Sequence, residues 1–152
     1  MRPRIYIDTS VIGGCEDEEF REHSTRLMAR FRRGDAVLVL SDLTVRELDV
    51  APLAVQAVLH GVPSGHIEVL ALTAEADALA RVYIAEGVVG GGMLIDAQHI
   101  AVASVAKVDV LVSWNFKHIV NLQRIHGYNA VNLRQGYSLL EIRSPREVLG
   151  DE

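Results

Sequence analysis

Arg4-Ile5-Tyr6-Ile7-Asp8-Thr9-Ser10 begins as a short strand that ends on an acid, Asp8, after which Thr9 and Ser10 cap a turn. β-branched and aromatic side chains suit a buried, pleated backbone. An ionised carboxylate taken out of water costs on the order of several kcal/mol unless something compensates it. The same conflict recurs twice downstream. Glu47 stands with Leu43, Val50 and Ala54 at i, i+4, i+7 and i+11, and Asp96 shares a helical face with Met93, Ile100 and Ala103. Three acids from distant segments, each set among apolar neighbours, would be tolerated together around a shared cation, so the pattern predicts a metal site.

Outward from the first strand, residues 16 to 33 have helical spacing, with acids at the start and arginines at the end, an order that complements the helix dipole. Ala36 to Leu40 reads as a second strand. Ser41 or Asp42 caps the helix carrying Glu47, Pro52 breaks it, and a new helix runs through Leu59. Ile67 to Leu70 is a third strand, followed by a helix from about Thr73 to Glu86 that stops at Gly87. Gly90-Gly91-Gly92 lacks the Gly-Lys-Ser/Thr of a phosphate-binding loop and reads as a flexible entry to the helix of Asp96. Val108 to Val112 is a fourth strand, and Ala130 to Leu133 could supply a fifth. Strands alternating with helices predict an α/β domain with a mainly parallel sheet, whose ligands bind at the carboxyl ends of the strands. Asp8 and the segment from Ser113 to His118 both fall there.

Length and composition narrow the classes. With 152 residues, 49% of them hydrophobic, the chain suits one domain spanning 1–152 with one substantial core. A single cysteine, Cys15, excludes an internal disulfide framework and a cysteine zinc cluster; a buried free thiol in a cytoplasmic protein is expected. Apolar runs are too short for a membrane span. A formal charge of −5 argues against a duplex-coating protein, but not against a nuclease whose acids are neutralised by metal.

Four motifs in order, Ile5-Tyr6-Ile7-Asp8-Thr9-Ser10, Thr44-Val45-Arg46-Glu47, Ile95-Asp96-Ala97-Gln98-His99-Ile100-Ala101 and Leu111-Val112-Ser113-Trp114-Asn115-Phe116, resemble the PIN-domain family over nearly the whole chain. The resemblance implies a three-layer α/β/α sandwich and a metal-dependent endoribonuclease acting on single-stranded RNA. Many relatives are toxins of toxin-antitoxin pairs, so it also implies an antitoxin protein and a second copy of the chain as partners. By position, Asp8, Glu47 and Asp96 resemble the family's metal-binding acids and Thr9 or Ser10 its supporting hydroxyl. Asn115 stands where many relatives carry a fourth aspartate; it can offer an amide oxygen but brings no charge. Oxygen donors without a zinc-type spacing fit Mg2+ or Mn2+.

Plainer roles compete with these. Asp8 could cap the following turn, Glu47 could pair with an arginine, Asp96 could be an ordinary first-turn acid, and Asn115 could cap the helix after its strand. His99 and His118 are read as packing residues outside the site, and Trp114 and Phe116 as core rather than base-stacking aromatics. Arg46, Lys117, Arg124 and Arg134 are candidates for phosphate contact, whereas Glu16 to Glu19 would repel RNA. Residues 134–152 wrap the body or meet a partner. Two other functions remain: a catalytically weakened PIN-fold module binding RNA or protein, motivated by Asn115, and, ranked last, a phosphatase with Asp8 as nucleophile, which lacks the second aspartate expected two residues on.

Overall fold

A computed structural model describes residues 2–150; Met1, Asp151 and Glu152 lie outside the described residues, including the end of the 134–152 segment. The apolar runs form strands β1 (Arg4–Ile7), β2 (Val37–Ser41), β3 (Ile67–Leu70), β4 (Val110–Val112) and β5 (Ile142–Arg143). Between and around them are helices α1 (Thr9–Gly14), α2 (Arg21–Arg33), α3 (Asp42–Asp49), α4 (Leu53–His60), α5 (Ala74–Ala85), α6 (Leu94–Val105), α7 (Leu122–Arg134) and α8 (Pro145–Val148). All strand pairs are parallel, in the order β3-β2-β1-β4-β5.

The two-residue period of the strands builds two apolar layers. Tyr6, Val39, Leu111 and Ile142 point to the layer that contains the buried faces of α5, α6 and α7. Ile5, Ile7, Leu38, Leu40 and Val112 point to the other, which contains those of α1 and α2. Because Tyr6 is in register with both Val39 and Leu111, one strand position fixes the phase across the sheet centre. The result is the three-layer α/β/α arrangement, with a sheet that is wholly parallel. From β1 the chain steps outward to β2 and β3, then returns to lay β4 on the other side of β1. That reversal leaves a crevice at the carboxyl ends of β1 and β4, the usual ligand position in such sheets.

The expected strand at Ala130–Leu133 is instead part of α7. A four-residue window concealed the longer period: Tyr128, Val131 and Asn132 are buried, Leu133 is exposed, and Asn121 caps the helix by accepting from Arg124 N at 2.9 Å. Asn132 is held in the core by Tyr83 and by Ser104. The fifth strand comes from Ile142–Arg143, so the tail wraps the body by completing the sheet.

Three further expectations change in detail. Thr9 and Ser10 begin a short helix rather than a turn, and the helix expected from Glu16 starts at Arg21, after an exposed turn whose Asp17 Oδ1 accepts from Glu19 N at 2.8 Å. Glu47 does not share a stripe with Val50 and Ala54: α3 ends at Asp49, Val50 is 87% exposed, and α4 restarts after Pro52 in a different phase. Glu47 shares its face with buried Leu43 and Thr44, one turn earlier. Cys15 is buried and free. Among the described residues no helix is long and apolar enough to cross a membrane.

Candidate functional site

Asp8 leaves β1 at the crevice and occupies the N-cap position of α1, yet its carboxylate makes no cap hydrogen bond to that helix. Two hydroxyls hold it instead. Ser10 Oγ donates to Oδ1 at 2.6 Å and Ser113 Oγ, from the end of β4, donates to Oδ2 at 2.7 Å. Each hydroxyl also accepts a backbone N–H, Trp114 N on Ser10 and Asn115 N on Ser113, both at 2.9 Å. Their own protons are therefore directed to the carboxylate. The capping role considered for Asp8 is absent, and a pair of serines fixes its orientation.

Asp8 is 6% exposed. Burial holds its carboxyl above the ordinary aspartate range, more than nearby His99 and the two hydroxyls draw it back, and the charge of Glu47 adds to the rise. Asp96, in the first turn of α6, is likewise raised by burial, with a further push from Asp8 and partial relief from His99, His118 and Asn115. These carboxylates are coupled across the crevice. Neither forms an ion pair with Lys or Arg among the described residues.

Glu47 behaves in the opposite way. Its Oε1 accepts from Thr9 Oγ1 at 2.9 Å and from His99 Nε2 at 3.1 Å, and the bond from His99 is the main reason its carboxyl lies below the usual glutamate range. His99 is almost wholly buried, and its Nδ1 lies 2.6 Å from Tyr6 Oη, which in turn is 2.7 Å from Ser41 Oγ. Since an ionised carboxylate can only accept, Nε2 carries a proton. The hydroxyls of Tyr6 and Ser41 can orient to satisfy Nδ1 with or without a proton. The sequence reads His99 as a packing residue, whereas in the structure it holds Glu47. Ser113 was also missed. The signal for both was weak: a histidine one turn after Asp96 and a small hydroxyl residue ending an apolar strand.

Asn115 has a different orientation from the one that a metal ligand requires. Its Oδ1 accepts from Lys117 N at 3.2 Å and His118 N at 2.9 Å, so its amide nitrogen faces the other way and donates to Asp96 Oδ2 at 3.3 Å. Two backbone donors fix this orientation. Asn115 caps a turn rather than the expected helix, which starts only at Leu122 behind its own cap Asn121, and its link to the site runs through a donor rather than through the expected amide oxygen.

The remaining candidates separate clearly. Trp114 is buried, stacks on Phe20 and donates its indole N–H to Ser24 Oγ at 2.8 Å, whereas Phe116 is 49% exposed. Arg46 pairs with Asp42, Arg134 with Glu86, and Arg124 donates to the Val88 carbonyl. Lys117 forms no ion pair among the described residues and stands exposed two positions from Asn115. His118 Nδ1 is buried without a hydrogen-bond partner among the described residues.

Among the described residues no three His, Cys, Asp or Glu side chains stand close enough together to form a ready metal cage. The donor chemistry nevertheless suits a hard cation: the acids offer only oxygen, and two of them are carboxyls held above their normal range by burial, with a smaller push from Glu47 on Asp8 and from Asp8 on Asp96.

No protein-family model matches the chain, and no curated protein does. Solved structures do. The VapC20 toxin of Mycobacterium tuberculosis, described as cleaving the sarcin-ricin loop, matches at 16% identity and a TM-score of 0.59, over 75% of this chain and 92% of that one. VapBC2 of Rickettsia felis, bound to a promoter DNA fragment, matches at 12% identity and 0.58, over 93% and 98%. DNA-bound VapBC of Salmonella typhimurium matches at 18% and 0.53, over 94% and 98%. The wholly parallel five-stranded sheet with its flanking helices is thus the PIN-like fold of the VapC structures.

Proposed function

We propose that this protein is a divalent-metal-dependent endoribonuclease that cuts single-stranded RNA, the toxin of a toxin-antitoxin pair acting in the cytoplasm. The observation that carries this reading is the pair Asp8 and Asp96: acids at the carboxyl ends of a parallel sheet, raised by burial and without a Lys or Arg ion pair among the described residues. Such groups are costly in the empty protein and become favourable beside a cation.

Asp8, Glu47 and Asp96 would hold the metal. When bound, Mg2+ or Mn2+ supplies an activated water and neutralises charge on the scissile phosphate. The other residues prepare the acids: Ser10 and Ser113 orient Asp8, Thr9 and His99 orient Glu47, and Asn115 orients Asp96. Lys117 attracts the phosphate backbone. We assign Asn115 to positioning, because to join the ligand set with its oxygen it would have to release two backbone donors.

A protein partner is supported by the VapBC matches and by an apolar groove of about 680 Å3 bounded by Val45, Leu59, Val62, Ile67 and Val69. An antitoxin segment fits that description, and self-association is the second partner we assign. The competing reading, a PIN-fold module that binds without cutting, draws on the absence of a ready cage among the described residues.

Cleavage of a mixed single-stranded RNA panel with Mn2+ or chelator, beside Asp96→Asn, separates the two. Manganese-dependent cutting that the variant loses supports the nuclease. Undiminished cutting by the variant refutes this site, and RNA binding without cutting favours the module.

A further inference from the structure

Adjoining the acids is a cavity of about 320 Å3 that the proposed chemistry does not use, lined by Ser10, Gly13, Gly14, Phe20, Trp114 and Asn115, with Asp17 completing its wall. Its two glycines are there for different reasons. A Cβ on Gly14 would stand 2.4 Å from Ser24 Oγ and 2.8 Å from Trp114 Nε1, so packing requires glycine. Among the described residues a Cβ on Gly13 would meet nothing within 4 Å, and the residue has no positive φ. Glycine weakens a helix relative to alanine. The fold therefore has no need of glycine at position 13, and its bare backbone keeps the cavity open.

The walls specify an occupant. Phe20 lies against Trp114 with ring centroids 4.2 Å apart and planes 19° from parallel, and the indole N–H is engaged by Ser24, so the aromatic wall is rigid. Asp17 and its exposed neighbours Glu16, Glu18 and Glu19 repel phosphate. The Asp17 Oδ1 is taken by Glu19 and Phe20 N–H, which among the described residues leaves Oδ2 to accept from an amino group. A flat, uncharged ring fits these walls; a phosphate does not. Ser10 and Asn115 also hold Asp8 and Asp96, which sets the cavity directly beside the acids.

We propose that this cavity receives the base of the nucleotide next to the scissile phosphate, stacked against the Phe20 and Trp114 wall. The position relative to the cut rests on the nuclease reading; the binding of a base does not. Stacking on aromatic side chains is tolerant of sequence, and Asp17 adds a preference for bases carrying an amino group over uracil.

Trp114 is the chain's one tryptophan and lines both this cavity and a neighbouring one bounded by Glu19, His23, Phe116 and Arg146, so the Gly13 variants, which alter only this cavity, assign the fluorescence signal. The protein is titrated in chelator with single-stranded RNA pentamers of adenosine, cytidine or uridine, and with a ribose-phosphate pentamer lacking bases. We expect saturable quenching by the base-bearing pentamers, weakest for uridine, none by the abasic one, and affinity reduced by about tenfold or more in Gly13→Leu. Gly13→Ala, read beside it, falls between the two and keeps the test decisive if the leucine variant does not fold. Equal quenching with and without bases, or unchanged affinity in a folded Gly13 variant, overturns the subsite. Manganese-dependent cleavage in wild type separates the two claims: cutting with no base-dependent quenching leaves the nuclease and removes the subsite, whereas base-dependent quenching without cutting does the reverse.

Discussion

Asn115→Asp exchanges one atom at the point where the loop after β4 meets Asp96. The capping oxygen is retained, so Lys117 N and His118 N keep their acceptor. The donor 3.3 Å from Asp96 Oδ2 becomes a second carboxylate oxygen. At an effective dielectric of about 20, two unit charges at that separation repel by about 5 kcal/mol. Partial exposure and side-chain rotation reduce this to roughly half, and the lost bond to a charged group adds about 1 kcal/mol. We therefore expect the variant to be about 3 kcal/mol less stable in chelator at pH 8, a fall in melting temperature of roughly 6–12 °C for a chain of this length. A cation shared by the acids would relieve the repulsion, which corresponds to manganese binding tighter by roughly a hundredfold. The assay is differential scanning fluorimetry of both proteins across a manganese titration. A variant as stable as wild type in chelator would refute the Asn115 to Asp96 contact. A destabilised variant that gains no more from manganese than wild type does would refute the shared cation.

Asp8→Asn and Asp96→Asn should each abolish metal-dependent cleavage while raising stability in chelator at pH 8 by about 1–3 kcal/mol, read from urea denaturation. Both folded-state carboxyls are raised, so the native protein takes up protons before the unfolded chain does, and the advantage of either variant should shrink as pH falls towards about 4; a gap that widens on acidification would contradict the burial argument. Glu47 has the opposite sign: its lowered carboxyl stabilises the fold above the unfolded value and loses that contribution as pH falls, so the stability difference between wild type and Glu47→Gln should diminish in acid. Tyr6→Phe leaves His99 Nδ1 and Ser41 Oγ without their shared partner and should cost about 1–3 kcal/mol, with a rise in the Glu47 titration midpoint measured by NMR. Gly14→Ala should lose about 1–3 kcal/mol and shift Trp114 emission, because the new methyl displaces Ser24 or the indole; an unperturbed spectrum at full stability would show that the site relaxes freely.

The parallel α/β class and the crevice position of Asp8 were legible in the sequence because each depends on local periodicity: apolar runs make strands, 3.6-residue spacing makes helices, and a carboxylate among apolar neighbours stands out in either. Partnership is a property of the fold. Ser113 reaches Asp8 across 105 positions of chain, and His99 reaches Glu47 across 52. Nothing in the local spacing of either residue specifies that contact. Asn115 makes the same point in one side chain, since its type permits an acceptor or a donor towards the acids, and only the two backbone N–H groups of the following turn determine which end faces Asp96. The short windows at Val50 and at Ala130–Leu133 were misleading because the phase of a helix and the filling of an edge-strand position depend on a proline break and on β5, outside the windows. Local chemistry thus determined which elements form and which groups are charged, whereas packing determined which of those groups meet, because burial, hydrogen-bond direction and mutual repulsion exist only once distant segments share a volume.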